Sequence, residues 1–349
     1  MILFFSDLHV HHTHRFSHIT PEGRTVREQE HLMCADKIVE LIDKYNISRV
    51  IFGGDMFGPV GDNLSTQCLD TVCEFIEKIQ NKCIEKGIDF DILVGNHDIS
   101  GHLNNQYTHK LIPFKKWQNV NVYDQPSEKN NIVYMPFCIS DDFATDYLNS
   151  VNNKADKIVV SHLELKDVNL GNGIFTQKGV SINLLDKFKI VLQGHYHSGT
   201  TCGSNIFISG STQRLSFKDQ GKSRDNILIY NEKTGEIFRE SFDCPDWLCF
   251  NDDNIEDILK ISDDNYVKVD VTTDILLTDK IKDKINRMKN KDVHVDLTRI
   301  KVNRKVEESI QSENEVDVIK QFVDKSDNDD EQKVELLQVG IDLINRVKK

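Results

Sequence analysis

Between Ile2 and His197, five short stretches rich in Asp, Asn and His each follow an apolar, β-rich run. Asp7-Leu8-His9 follows Ile2–Phe5, Gly53-Gly54-Asp55 follows Val50–Phe52, and Gly95-Asn96-His97-Asp98 follows Ile92–Val94. Ser161-His162 then follows Ile158–Val160, and Gly194-His195-Tyr196-His197 follows Ile190–Leu192. In an open α/β sheet the carboxyl ends of the strands share one edge, and ligands bind there. Five strand ends that all carry metal-ligating side chains therefore predict one shared site.

The residue types indicate what the site holds. Carboxylate, amide oxygen and imidazole together suit Mn²⁺ first and Mg²⁺ next, with Fe or Zn also compatible. Residues spaced i, i+2 in extended chain project to the same side, which predicts that Asp7 converges with His9 and His195 with His197. Two ions roughly 3.5–4 Å apart need a shared ligand, and Asp55, alone in its stretch, is the natural bridge. Such a pair lowers the pKa of a bound water and clamps the oxygens of an in-line displacement at phosphorus.

Helical spacing appears between the strands. Val26–Tyr45 shows Val26, Met33, Ile38, Leu41 and Ile42 at near-helical spacing, and Leu64–Lys86 repeats the pattern with Leu69, Val72, Phe75, Ile76 and Ile79, capped by Ser65 or Thr66. Asn205–Ser209, Ile227–Tyr230 and Ile237–Phe242 then read as strands without helices, the last two joined through the turn-rich Asn231–Gly235. The expected fold is an α/β sandwich of mixed sheets with helices on its outer faces.

No apolar run approaches the roughly 18 residues of a membrane span. The chain enters a strand at Ile2 without a basic stretch or cleavage site, so no signal peptide is expected. Eight cysteines without a C-x-x-C pair suggest reduced thiols and a cytoplasmic setting, the host cytoplasm if the chain is phage-encoded. The net charge of −13 is unfavourable for binding phosphates, but it is unevenly spread. Lys280–Lys305 holds ten Lys or Arg against three Asp, while Val306–Glu335 holds three Lys against eleven acids.

The order and spacing of the five stretches resemble the calcineurin-like metallophosphoesterases. The resemblance implies that Asp7, His9, Asp55 and His197 hold one ion and that Asp55, Asn96, His162 and His195 hold the other. It makes His97 a catalytic acid or charge stabiliser facing the phosphate, oriented by Asp98. An imidazole with a pKa of ~6.5 suits proton donation near neutral pH. The segment Ile208–Phe217, with Ser209, Gly210, Ser211, Thr212, Arg214 and Phe217, is similar to one in the SbcD family, nuclease subunits of double-strand-break repair complexes. Length and ending are similar to the recombination endonuclease subunits of large tailed phages. At motif level the likeness covers residues 1–245. Many members of that branch carry His or Asp where this chain has Gly58, which removes a contact to the DNA strand. His11, His12, His14 and His18 could rim the site or form a solvated loop.

The polar stretch Cys244–Asn254 is the expected boundary of a nuclease domain spanning residues 1–250. Tyr266–Val271, Ile275–Met288 and Val293–Val302 read as strand, helix and strand, which resembles the small capping domain of SbcD-like nucleases, here residues 251–305. Lys282, Arg287, Lys289, Lys301, Arg304 and Lys305 are its candidate phosphate contacts. Two helix patterns, Val306–Val323 and Val334–Val347, flank a polar break at Ser326–Asp330 within the tail, residues 306–349. By resemblance this tail docks on an SbcC-like coiled-coil ATPase, with a homodimer inside a heterotetramer. The implied activity is a Mn²⁺- or Mg²⁺-dependent DNA nuclease, exonucleolytic on duplex and endonucleolytic on single strands, in repair, recombination and phage DNA metabolism. A phosphodiesterase or phosphatase acting on a small molecule or phosphoprotein shares the metal ligands but needs neither cap nor tail. A non-catalytic scaffold would have lost a ligand or His97, and all are present.

Overall fold

Alternation along Ile2–Phe5 sets the architecture: Ile2 and Phe4 join one apolar layer, Leu3 and Phe5 another. The protein is described by a computed structural model covering residues 1–11, 18–21, 23–58, 64–103, 106–169, 175–221, 225–242, 244–272, 276–288, 291–295, 315–324 and 330–347. One six-stranded sheet runs in the order Ile237–Glu240, Ile227–Tyr230, Ile2–Phe5, Arg49–Phe52, Asp89–Leu93, Val120–Tyr123. The last four are parallel, and the first two form the expected antiparallel hairpin. A second six-stranded sheet runs Thr200–Cys202, Ile206–Ile208, Ile190–Gln193, Ile158–Ser161, Ile132–Met135, Ser127–Lys129, its four inner strands parallel.

Ile2, Phe4, Ile51 and Leu93 of the first sheet meet Tyr134, Ile158, Val160 and Leu192 of the second in an apolar layer. The outer face of the first sheet buries Leu3, Phe5, Val50, Phe52 and Ile92 under two helices. Helix Val26–Lys44 starts from a capping box of Thr25 and Glu28 and contributes Ile38, Leu41 and Ile42. Helix Thr66–Lys86 is capped by Ser65 and contributes Val72, Phe75, Ile76 and Ile79. On the far side, Ala144 and Leu148 of helix Asp141–Ser150 and Leu185 of helix Ile182–Leu185 cover the second sheet. The fold is the expected sandwich. Strands buried on both faces explain why their sequences read as unbroken apolar runs.

After the sandwich comes a three-stranded parallel sheet of Trp247–Phe250, Tyr266–Val271 and Lys291–Val295, with helix Asp279–Arg287 crossing between the last two. Phe250, Ile258, Val267, Val269, Ile281 and Ile285 form its own apolar cluster. The strand Trp247–Phe250 lies within the stretch read from sequence as a polar boundary. Its apolar residues Trp247, Leu248 and Phe250 are spaced too briefly among acids to register as a strand on their own. The expected strand to Val302 is described only to Val295, and Lys289, Lys301, Arg304 and Lys305 lie outside the described residues.

Residues 297–349 form a separate unit containing helices Glu315–Asp324 and Asp330–Val347. These two pack on each other so closely that a Cβ on Gly340 would lie 2.8 Å from Ile319 Cγ2. Val334, Leu336 and Val339 remain exposed. Among the described residues, no helix is long and apolar enough to cross a membrane.

Candidate metal centre

The parallel strands deliver every predicted ligand to one place. Side-chain donor atoms of Asp7, His9 and His197 lie within 4.8 Å of one another, as do those of Asp55, His162 and His195. His9 Nε2 is 3.1 Å from His197 Nε2, 3.6 Å from Asp7 Oδ1 and 3.7 Å from Asp55 Oδ2. Asp55 Oδ2 also lies 3.2 Å from His162 Nε2, so this one carboxylate touches both groups. The Asn96 amide oxygen completes the second group, 3.2 Å from His162 Nε2 and 3.0 Å from His195 Nδ1.

The backbone brings them together by a route the sequence did not suggest. Asp7, His9, Asp55 and His195 all adopt left-handed conformations, with φ of 58°, 51°, 58° and 71°. Asp7 and His9 therefore converge through tight turns beyond the strand, not through the alternation of extended chain, and the same holds for His195 with His197. Such conformations are costly outside glycine and persist only where surrounding contacts over-determine them. Those contacts are present. Asp7 and His9 donate their N–H groups to the carbonyls of Gly54 and Asp55, both at 3.0 Å, and His195 N–H donates to Asp7 Oδ2 at 3.0 Å.

Whether this cradle fits divalent ions can be read from its unmet needs. Asp7 Oδ1 is buried with no hydrogen-bond partner, beside two imidazole nitrogens that face each other. His162 Nδ1 donates to the Gly53 carbonyl at 2.7 Å, which turns its Nε2 toward Asp55 and Asn96. Burial opposes charge on Asp55, yet His162 beside it holds its carboxyl well below the usual carboxylate range. Burial also opposes charge on His162, and Asp55 outweighs it, lifting the imidazole to about 9. Burial, helped by His162, lowers His195 to about 4, leaving it a neutral donor. Oxygen and nitrogen donors, an orphaned carboxylate oxygen and an Asp shared between the two groups fit divalent ions.

His97 sits over the first group, its ring 5.1 Å from that of His9. Its side chain also lies within 4.8 Å reach of His9 and Asp55 donor atoms, so proximity alone does not distinguish a ligand from an acid. Burial lowers its pKa. Its N–H donates to Asp55 Oδ1 at 2.8 Å, and Lys110 Nζ donates to its carbonyl at 2.8 Å. Asp98 does not do what sequence suggested. Its carboxylate accepts from the N–H groups of Asp55, Phe57 and Gly95 at 3.1, 3.0 and 2.9 Å. The short 3-10 turn Asn96–Asp98 points this side chain back at the Gly54–Phe57 loop, so Asp98 fixes the bridging ligand's backbone and not the His97 ring. Burial and the neighbouring Asp55 push its pKa up to about 6.

Two glycines are explained by closeness. A Cβ on Gly95 would fall 2.2 Å from Asp55 Oδ1. A Cβ on Gly58 would fall 2.9 Å from His11 Cβ, so His11 occupies the space that a side chain at position 58 would need. His11 Nδ1 donates to the His9 carbonyl at 2.8 Å, and His18 is exposed. His12 and His14 lie outside the described residues.

The segment after Ile206–Ile208 forms a buried wall. Ser211 bridges Ser6, and Thr212 N–H donates to the Asp7 carbonyl at 3.4 Å. The Arg214 carbonyl accepts from Arg27 at 3.0 Å, and Phe217 meets Trp247 edge-on at 4.9 Å. Arg27 pairs with Glu30 at 2.7 Å and lies over the stacked rings of Trp247 and Tyr266, whose hydroxyl donates to Glu30 at 3.0 Å. Sequence reading missed this buried pair. Its signal was an Arg and a Glu at i, i+3 in line with the buried His31 and Cys34. Lys110 was also missed, and no spacing rule points to it.

The family described as Calcineurin-like phosphoesterase matches residues 1–199. No curated protein matches the chain. Solved structures that are similar in part include the GAP50 anchor of the inner membrane complex of Plasmodium, at 12% identity and TM-score 0.37, covering 70% of this chain and 89% of that one. Another is the Pseudomonas putida nuclease MPE, at 12% identity and TM-score 0.27, covering 59% and 66%. A third is Haemophilus influenzae NAD nucleotidase, at 10% identity and TM-score 0.29, covering 84% and 56%. With the family match over more than half the chain and the ligand set assembled at the strand ends, the protein belongs to the calcineurin-like phosphoesterase family, metal-dependent hydrolases of phosphoesters.

Proposed function

We propose that the protein is a Mn²⁺- or Mg²⁺-dependent DNA nuclease of the SbcD type, working as a homodimer with an SbcC-like coiled-coil ATPase in double-strand-break repair, recombination or phage DNA metabolism. The observation that carries this proposal is the wall from Ser211 to Phe217, which runs from the Asp7 turn to the small parallel sheet. A hydrolase of small phosphoesters has no need of that extra layer. On the helix of the small sheet, Lys282 is exposed, whereas Lys284 is buried and donates to the Ile261 carbonyl at 2.6 Å. Lys282 is therefore the better phosphate contact of the two, and Arg287 lies 3.3 Å from Asp263.

Divalent ions held by Asp7, His9, Asp55, Asn96, His162, His195 and His197 would supply Lewis acidity toward a phosphodiester and lower the pKa of a water. The protein's own groups do the rest. Asp98 and the Gly54–Phe57 turn fix Asp55, and His97 stands beside it to donate a proton toward the departing sugar oxygen. A cleft of about 910 Å³, lined by His195, His197, Tyr196 and Phe175, offers room for the strand.

Digestion of linear duplex, circular single-stranded DNA and a chromogenic phosphodiester in Mn²⁺, with and without the ATPase, tests this. Cleavage of both DNAs that stops with chelator and returns with Mn²⁺ is expected. Turnover of the chromogenic ester with both DNAs left intact would favour a small-molecule or phosphoprotein esterase. DNA cleavage in excess chelator would overturn the metal mechanism.

A further inference from the structure

Cys34 and Cys244 lie far apart in sequence, yet their sulfurs are 3.6 Å apart. We propose that this pair is an oxidation site, closed to a disulfide by hydrogen peroxide, that fastens the sandwich to the small parallel sheet. The proposal stands on the geometry of the two thiols and does not depend on what the metal centre cleaves.

Three observations converge on the pair. Cys34 is buried on helix Val26–Lys44, whereas Cys244 is half-buried on the stretch that leads into strand Trp247–Phe250. A cavity of about 330 Å³, walled by Met33, Lys37, Glu40 and Phe242, is lined by both thiols. That volume is ample for peroxide, little larger than a water whose share of the liquid is about 30 Å³. Thirdly, a disulfide needs its sulfurs at about 2.05 Å, so they must close by about 1.5 Å. Rotation of the half-buried Cys244 side chain is the motion best placed to supply it.

The order of events follows from exposure. Cys244 is the thiol that peroxide reaches; its thiolate attacks one peroxide oxygen, the O–O bond breaks, and the sulfenic acid forms with release of hydroxide. Cys34 then attacks the sulfenic sulfur. The S–S bond forms, the S–O bond breaks, and the hydroxyl leaves as water with the proton from Cys34. Burial and the contact with Cys244 push the Cys34 thiol well up, which makes it the resolving and not the initiating partner.

The consequence lies in what the bond would join. The helix of Cys34 also carries Arg27 and Glu30, which hold Trp247 and Tyr266 of the small sheet. The disulfide adds a covalent tie to that same contact.

The full chain, kept native, is treated with hydrogen peroxide, alkylated in denaturant, digested and mapped by mass spectrometry without reduction. A linked Cys34–Cys244 peptide is expected, with two of the eight thiols lost, both recovered by dithiothreitol, at a yield independent of protein concentration. In Cys34→Ser, Cys244 should instead be trapped by dimedone as the sulfenic acid. In Cys244→Ser, where the change is half exposed and the fold is kept, Cys34 should remain a free thiol. Recovery of Cys34 and Cys244 as unlinked thiols after other cysteines have oxidised would overturn the proposal. So would pairing of Cys244 with a different cysteine.

Discussion

The N–H of His195 donates to Oδ2 of Asp7 at 3.0 Å, tying the last metal-binding stretch to the first. Asp7 is thus both a candidate donor to an ion and the clamp on the backbone of another candidate donor. Loss of either residue is expected to disturb more than one ligand.

His97→Ala is expected to lower phosphodiester turnover by ~10²–10⁴-fold while the number of ions bound stays the same. His195→Ala should lower both metal occupancy and turnover. Titration calorimetry with Mn²⁺ beside steady-state kinetics checks this. Loss of an ion in His97→Ala would make His97 a ligand through its reach to His9 and Asp55.

Gly95→Ala should weaken metal binding by about 10–100-fold and lower the unfolding midpoint as well, because the added methyl meets both the Asp55 carboxylate, at 2.2 Å, and its backbone nitrogen, at 2.3 Å. Circular dichroism showing a native fold, with Mn²⁺ affinity unchanged, would contradict it.

Glu30→Gln leaves Arg27 buried without its charge partner and should destabilise by about 3–5 kcal/mol in denaturant unfolding. Arg27→Met combined with Glu30→Leu should recover much of that loss, since two well-packed apolar side chains replace two desolvated charges.

His109 and Lys115 hold the Asp124 carboxyl down to about 2, with partial burial opposing them. A depressed acid contributes stability above its unfolded pKa of about 3.9 and loses it as pH falls through the folded value. After allowance for exposure, Asp124→Asn should cost about 1 kcal/mol at pH 7. The gap from the parent should narrow below about pH 4 and close only below pH 2, once the folded group too is protonated. Unfolding midpoints across that range decide it.

Deleting Gln332–Lys349 should spare hydrolysis of a small phosphodiester, because the candidate ligands all precede this helix, and should abolish binding of the SbcC-like ATPase proposed above. Leu336 and Val339, spaced i, i+3, are exposed on one side of it, a surface suited to a partner helix. A large fall in melting temperature with ATPase binding retained would show that the helix serves the fold instead.

The strands and both long helices were legible because each has a strong period or an unbroken apolar run. Ile2–Phe5 and Ile227–Tyr230 match residue for residue. The candidate metal-binding residues were legible as one group because their types are rare together at strand ends. The task of Asp98 was not, since a side chain that bonds backbone leaves no pairing pattern. Trp247–Phe250 escaped because it is short and finds its partners only in three dimensions. The left-handed turns were invisible because Asp and His occupy positions where a sequence reader looks for glycine.

Those turns leave a historical trace. At Asp7, His9, Asp55 and His195 this chain carries a side chain on a backbone that glycine would occupy more comfortably. The donor atoms justify it, together with the backbone N–H groups from which the second oxygens of Asp7 and Asp55 accept. A descendant that abandoned hydrolysis would be free to relax, and drift toward Gly or Asn at these four positions is the expected course. They serve as a marker by which a silent relative can be told from a working one before either is purified.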